Sequence, residues 1–303
     1  MKILFTNLII LILFVLGLFS CSSSFDEDNS QDSVQVVIDE IQEEAINDNV
    51  FYQVPTPNEL FAVLKNSNAP FNKEILNDAS NSGNYFTKFS KALNFGVYCA
   101  DLAYATSQGS FEDAASLFEA VKSLAKDLEI ENAIDQIIFE RLKESLENAN
   151  ADSLFLISNE TYYNAFSYLQ ENDRQDILGI IAVGGWIEGL NIILNLEPYS
   201  ENSEICQQIA DQKLTLENLL IFISNVENDK FTDIVNDLTM IEEIFNQNDN
   251  SSDEAEILEL SNKTNENGLI IFGGGNSLTL SNNQFDQLKI ILMDLRTSII
   301  EGN

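Results

Sequence analysis

The sequence predicts an all-α fold, a bundle or array of antiparallel helices, and three observations predict it. Apolar residues recur at three- and four-residue spacing through most of the chain beyond residue 51, the signature of amphipathic helices. Helix-start signals stand at the heads of several of these stripes. The segments between successive stripes are short, which favours antiparallel neighbours. A hydrophobic content of 45% is near the globular average, so the chain can bury a substantial core.

The elements follow in order. Thr56-Pro57-Asn58-Glu59 opens a helix with a capping box and a proline at the first helical position; Leu60, Phe61 and Leu64 form its apolar face. Phe89, Leu93, Val97, Ala100 and Tyr104 mark one face of a helix that runs to about Ser107 and stops at Gln108-Gly109. Ser110 with Asp113 caps the next, whose stripe is Phe111, Ala114, Phe118, Val121, Ala125 and Leu128. The two read as an αα-hairpin. It looks superficially like a tetratricopeptide unit, but no fixed period recurs along the chain.

Further helices carry Ile134, Ile138 and Leu142, then Tyr162, Phe166 and Leu169, then the apolar run 177–194. Ile205, Ile209, Leu216, Leu219, Ile223 and Val226 give another, and Phe231, Ile234, Leu238, Ile241 and Phe245 the one after it. Residues 269–272 and 278–280 could form two short strands around Gly273-Gly274-Gly275, a small β-hairpin before the C-terminal helix. That last helix starts at a capping box of Ser281 and Gln284 and carries Phe285, Leu288, Leu292, Leu295 and Ile299.

Charge and residue usage exclude whole classes of function. Asp and Glu number 49 against 15 Lys and Arg, a formal net charge of -34, which repels phosphate backbones and argues against nucleic-acid partners. There is no histidine. Ser-His-Asp and Cys-His hydrolases, HExxH zinc peptidases and His-ligated haem or iron sites are therefore excluded. No catalytic constellation, metal site or cofactor is expected. The alternating Asp249, Ser251 and Asp253 do not make a calcium loop, because Leu260 stands where the closing Glu belongs. Gly273-Gly274-Gly275 lacks the Lys-Ser/Thr of a phosphate loop. Cys99 and Cys206 lie in apolar helical patterns; they could pair in an oxidising envelope, and buried free thiols are the preferred reading.

The N-terminus gives the compartment. Lys2 precedes an apolar run over residues 3–19, broken only by Thr6, Asn7 and Gly17, the pattern of a secretory signal. Its end, Leu18-Phe19-Ser20-Cys21, resembles a bacterial lipobox, with Phe19 bulkier than that pattern prefers. The resemblance implies cleavage before Cys21 and lipidation of that cysteine, enough for stable anchoring to a membrane. The expected organisation is a signal peptide over 1–20, an acidic tether over 21–50 and a helical globular domain over 51–303. Ser22-Ser23-Ser24 and Asp26-Glu27-Asp28 are similar to stretches in surface-displayed lipoproteins of Bacteroidetes; a solvated tether has the same composition. Either face of the outer membrane fits.

Two lone acids stand out. Asp101 lies in a strongly apolar helix with Tyr98 three residues before it and Tyr104 three after, on one face. Glu188 and Asn191 sit in the apolar run 177–194, where acids at both ends favour a buried core helix over a membrane span. Gly185 and Gly189 have a GxxxG spacing that admits either a packed helix or a ligand. The two helices are expected to adjoin, with Tyr98, Asp101, Tyr104, Trp186, Glu188 and Asn191 lining a polar pocket beside the Gly185/Gly189 groove. With so few basic residues in the chain, tyrosine hydroxyls or Asn191 are the expected partners of the two carboxylates. Such a cluster could hold a cation, a sugar or a proton, or be a satisfied structural network.

The stretches "FYQVPTPNELF" (51–61), "NFGVYCADLAYA" (94–105), "VGGWIEGL" (183–190) and "IADQKLTLENLL" (209–220) resemble an uncharacterised family of helical lipoproteins in Bacteroidetes. The resemblance spans most of the chain after the tether and implies a Gram-negative envelope setting. The function it leaves to be expected is a non-enzymatic binding or assembly module for a protein partner or a small ligand. The alternative is a carboxylate-dependent envelope enzyme acting on glycan, since paired acids suffice for that chemistry.

Overall fold

The computed structural model describes residues 60–61, 70–133, 136–148, 150–196, 198–201, 203–224, 231–247 and 279–302. The chain divides into two units, Met1–Asn47 and Asp48–Asn303, and every described residue belongs to the second. The stretches expected to be a signal peptide (1–20) and an acidic tether (21–50), Cys21 among them, the cap expected at Thr56 to Glu59, the acidic stretch after Gln247 and the triple glycine lie outside the described residues. So does the hairpin expected before the last helix, apart from Thr279 and Leu280, which are in no strand.

The described residues are mostly helical and contain no strand. The α-helices with defined bounds are α1 (Lys88–Ser107), α2 (Phe111–Asp127), α3 (Gln136–Glu147), α4 (Ala151–Glu171), α5 (Gln175–Leu196), α6 (Glu204–Ser224), α7 (Phe231–Asn246) and α8 (Asn282–Glu301). Short 3₁₀ turns stand at Lys73–Ile75, Ala79–Asn84 and Glu131–Ala133. Leu60 and Phe61 are also helical and buried.

The local chemistry of the ends explains the boundaries. Thr87 and Ser90 make a reciprocal capping box at the start of α1, as Ser281 and Gln284 do at the start of α8. Ser110 behaves differently from the expected cap: its hydroxyl bonds the Asp113 carboxylate at 2.7 Å rather than a backbone N–H. Gly109 at φ 68° closes the turn between α1 and α2, and Gly302 at φ 74° ends α8, both in the left-handed region that glycine enters without steric cost.

Helices α1 and α5 form the centre, in the most extensive contact of the bundle. Around them, α2 and α4 pack on α1, and α6, α8 and α4 pack on α5. Helix α3 lies on α4, and α7 bridges α6 and α8. All residues of α5 from Ile177 to Leu194 are buried. Among the described helices it is the one long and apolar enough to cross a membrane, and it is instead the inner helix of the bundle.

Glycine decides how α1 and α5 meet. A Cβ on Gly96 would collide with the Ile181 carbonyl oxygen and lie 2.6 Å from the Gly185 nitrogen; one on Gly184 would collide with the Leu93 carbonyl oxygen. The two backbones touch, which only a residue without a side chain permits. Both helices start beside the end of α2, where Lys91 pairs with Asp127 and Arg174 donates to the Leu128 carbonyl oxygen, and further along Asp101 meets Glu188, so this pair runs in the same sense. Antiparallel packing was expected of neighbours joined by short loops; three helices stand between α1 and α5, so four successive reversals return α5 to the direction of α1, in keeping with that expectation.

The glycines of the expected groove have lesser parts. Gly185 has room for a Cβ at ordinary contact distance from the Gly96 carbonyl oxygen, 3.4 Å, while one on Gly189 would lie 2.8 Å from the Leu60 side chain. The groove beside them is filled by the chain itself. Gly96→Ala and Gly184→Ala should therefore each destabilise the protein by about 3 kcal/mol or more, the upper end for overpacking, because backbone rather than a flexible side chain must yield. Gly185→Ala should cost under about 1 kcal/mol by the same reasoning. Urea unfolding of the three variants checks this ranking; equal costs would contradict it.

Candidate functional site

Three helices bring one charged residue each to the interior. Asp101 from α1 and Glu188 from α5 are both 0% exposed, and Arg296 of α8 reaches them with a side chain 13% exposed. The guanidinium grips Glu188 with two bonds, Nε to Oε2 at 2.5 Å and Nη2 to Oε1 at 2.8 Å, the fork geometry that makes arginine the usual partner of a buried carboxylate. Arg296 Nη2 also donates to the Ile75 carbonyl oxygen at 2.6 Å. The basic partner of Glu188 was missed in the sequence. It had a signal: Arg296 lies four residues after Leu292 and three before Ile299, within the apolar stripe of α8, where a base has no reason to stand without an acid to meet.

Two carboxylates share this one cation, so one of them keeps a proton. Burial pushes the Asp101 carboxyl well above its ordinary value, and the neighbouring Glu188 charge pushes it further, against the opposing pull of Arg296. Asp101 Oδ2 accepts the Asn77 N–H at 3.1 Å, while Oδ1 is sealed and has no donor facing it. A proton on Asp101 Oδ1, donated to the adjacent Glu188 carboxylate, satisfies both oxygens. Arg296 stays charged: burial disfavours its cation, and the Glu188 charge and hydrogen bonds overcome that.

The other inward polar groups of α1 and α8 hold the segment 72–78, which has little regular structure of its own to satisfy its backbone. The Asn72 N–H donates to the Tyr104 hydroxyl at 3.0 Å, and Tyr98 donates to the Asp78 carbonyl at 2.8 Å. With Arg296 donating to the Ile75 carbonyl and Asp101 accepting from the Asn77 N–H, three buried side chains and the largely buried Arg296 clasp one stretch of main chain. The Asn77 amide adds bonds to the Tyr85 hydroxyl at 2.9 Å and, from its oxygen, to Asn81 at 3.0 Å. Asn94 ties the same region to the end of α8 through the Ile299 carbonyl at 3.0 Å.

The residues singled out in the sequence thus part company. Tyr98, Asp101, Tyr104 and Glu188 do surround one place, and the chain's own backbone occupies it. Trp186 points elsewhere: its indole N–H donates to Gln212 of α6 at 3.1 Å. Asn191 accepts from Asn195 on its own helix, at 3.1 Å to the side-chain oxygen and 2.8 Å to the carbonyl. Gly185 and Gly189 serve packing. Cys99 and Cys206 are buried free thiols, and burial raises Cys99 against ionisation, which makes it unreactive.

The outer face of the clasped segment forms one wall of a cleft of about 580 Å³, within the range of small-molecule sites. The segment contributes Lys73, Glu74, Leu76, Asn77, Asp78 and Ala79; the opposite wall is α2 with Asp113, Ser116 and Leu117. Lys73 Nζ sits 2.5 Å from Asp113 Oδ1. Burial acts to raise the Asp113 carboxyl, but hydrogen bonds from Lys73 and Ser110 hold it below its ordinary value, and Ser80 does the same for Asp78. The cleft was not legible in the sequence, since nothing marks which outer face of a loop will oppose which helix.

The proton on Asp101 sets a pH dependence. Folding takes up a proton wherever the unfolded chain has lost it and the native chain has not. This contribution to stability is full below the ordinary value of 3.8 and is lost as pH rises from there through the raised native value. Asp101→Asn keeps the hydrogen bonds, its amide donating to Glu188 and accepting from Asn77, and removes the titration. Urea unfolding across pH should show wild type losing stability relative to Asp101→Asn as pH rises from about 4; a constant difference would mean that Asp101 is ionised in the native state. Arg296→Met, which leaves two buried acids without a cation, should cost about 3–5 kcal/mol at neutral pH. Trp186 should emit in the blue, unchanged by Asp101→Asn and shifted by Gln212→Leu; a response to the first substitution would contradict its placement against α6.

In comparisons with known proteins, no family model, no curated protein and no solved structure matches the chain.

Proposed function

We propose that the chain is a lipid-anchored outer-membrane protein, held by Cys21, whose helical domain is a non-enzymatic binding module for a small ligand. The observation that carries the binding half is the cleft between the segment 72–79 and α2. One of its walls is loop, yet that loop is held from behind by Tyr98, Asp101, Tyr104 and Arg296. A wall fixed before the ligand arrives lowers the ordering cost of binding. The cleft has the size of a small-molecule site, which favours a small ligand over a protein partner.

The anchor half rests on the N-terminal Leu18-Phe19-Ser20-Cys21 pattern and on the resemblance to helical lipoproteins of Bacteroidetes. A cluster chemistry acting on glycan draws no support from Asp101 and Glu188. Glycosidases hold their two carboxyl groups about 5–9.5 Å apart around a substrate, whereas these two are in hydrogen-bonding contact and sealed from solvent.

Lipidation uses the thiol, so Cys21→Ser should abolish metabolic palmitate labelling and move the protein out of the outer-membrane fraction. Unchanged labelling and fractionation would refute the anchor. Protease treatment of intact cells reports the face: digestion of the helical domain places it outside the cell, protection places it in the periplasm.

A further inference from the structure

We propose that the ligand of this cleft is a free alkyl di- or polyamine, held by its ammonium groups on Asp113 and on Glu74 or Asp78, with its methylene chain over Leu76, Ala79 and Leu117. The inference rests on the reading of the cleft as a binding site and names the chemistry that fits it.

Lys73 supplies the first argument. Its ammonium group on a four-carbon stem already occupies Asp113 at 2.5 Å, so the cleft holds, in the chain's own side chain, an instance of the group assigned to the ligand. Lys73 is itself 71% exposed, so a second ammonium group can displace it into solvent at little cost.

The charge balance supplies the second. Among the lining residues, Glu74, Asp78 and Asp113 oppose the single cation Lys73, and Asp78 and Asp113 are both held in the ionised form. Anionic ligands meet repulsion there. A divalent metal finds no carboxylate cage: among the described residues no three His, Cys, Asp or Glu side chains converge on one point. The lining carboxylates stand on both walls, Glu74 and Asp78 on the segment and Asp113 on α2, and a flexible chain with an ammonium group at each end can reach both. The lining holds no aromatic ring, which leaves a sugar face without a stacking partner, whereas Leu76, Ala79 and Leu117 suit methylene groups.

The polar groups that could divert a ligand are already engaged. Ser116 donates to the Glu112 carbonyl at 3.1 Å, Ser110 to Asp113 at 2.7 Å, and the Asn77 side chain is turned inward to Tyr85 and Asn81. What faces the cleft is charge and hydrocarbon, the two components of an alkylamine.

The test is calorimetric titration of the full chain in detergent micelles with 1,5-diaminopentane and with spermidine at low salt. The controls are 1,5-pentanediol, glutarate and the peptide Gly-Lys-Gly. Saturable one-to-one binding of the amines is expected, and of neither the diol nor glutarate. Lys73→Ala should tighten binding about threefold by freeing Asp113, and Glu74→Gln with Asp113→Asn should weaken it about tenfold. Glu140→Gln with Glu144→Gln, an equal loss of two charges on the exposed face of α3, should change nothing. Equal weakening by Glu140→Gln with Glu144→Gln would reduce the effect to the general acidic field and overturn the site. Tighter binding of the peptide than of the diamine would overturn the free amine as the source of the ammonium group. If the diol or glutarate binds in place of the amines, the amine assignment falls and the binding cleft stands. If none of the probes saturates, and a broad set of small molecules leaves the amide resonances of residues 73–79 and 113–117 unmoved, both fall.

Discussion

Two buried carboxylates answer to one guanidinium in this protein, and the arrangement of the bundle follows from keeping that account neutral. Arg296 must come from α8 to meet Glu188 of α5, and Asp101 of α1 must keep a proton to lie beside them. An unpaired charge in the interior costs several kcal/mol, so the three helices cannot slide or separate independently. The same guanidinium reaches past Glu188 to the Ile75 carbonyl, which couples the charge centre to the loop outside it. In a chain of 49 acids and 15 bases, most carboxylates have to be left in water; committing an arginine to the interior marks this place as one where position matters.

The buried polar residues of α1 do the work of secondary structure for a segment that has little. Backbone groups excluded from water need partners, and residues 72–78 find theirs in Tyr104, Arg296, Asp101 and Tyr98. Hydroxyl, guanidinium and carboxyl side chains stand where a neighbouring strand or a helical turn would otherwise supply donors and acceptors. The result is a loop fixed along one edge by the core and open along the other, which is the geometry of a prepared wall. Close approach of α1 and α5 through Gly96 and Gly184 puts Asp101 and Glu188 in contact, so the glycines and the charges are parts of one constraint.

Much of the helical framework was legible because burial leaves a periodic trace. The stripes on α1, α2, α5 and α8 correspond to residues that are buried, apart from Phe89, Phe111 and Leu295, which are partly buried, and the Ser281/Gln284 cap forms as its spacing implies. The burial of Asp101 and Glu188 and their adjacency were readable too, from lone acids in apolar patterns. The identity of the tight glycines was not: a Cβ on Gly184 would collide with the α1 backbone whereas one on Gly185 would meet it at ordinary contact distance, a difference of one residue and about 100° around the helix. Nor was the occupant of the polar cluster, because a stretch such as Asn72 to Asp78 carries no periodicity by which its destination could be read.

By itself, then, the amino-acid sequence determined the helix count along most of the chain, the faces turned inward, the absence of histidine chemistry and the signal-and-cysteine pattern of the N-terminus, all of them properties of neighbours within a few residues of one another. Tertiary structure decided that Arg296 pairs with Glu188 across 108 positions, that α1 and α5 touch backbone to backbone at Gly96 and Gly184, that Trp186 turns to Gln212, and that the outer face of residues 73–79 opposes α2 across a cleft. These depend on which surfaces meet. The physical reason is that hydrophobic burial is non-directional: it tells each helix which face to hide, and leaves the choice of partner to the few contacts that backbone collisions and buried charges permit.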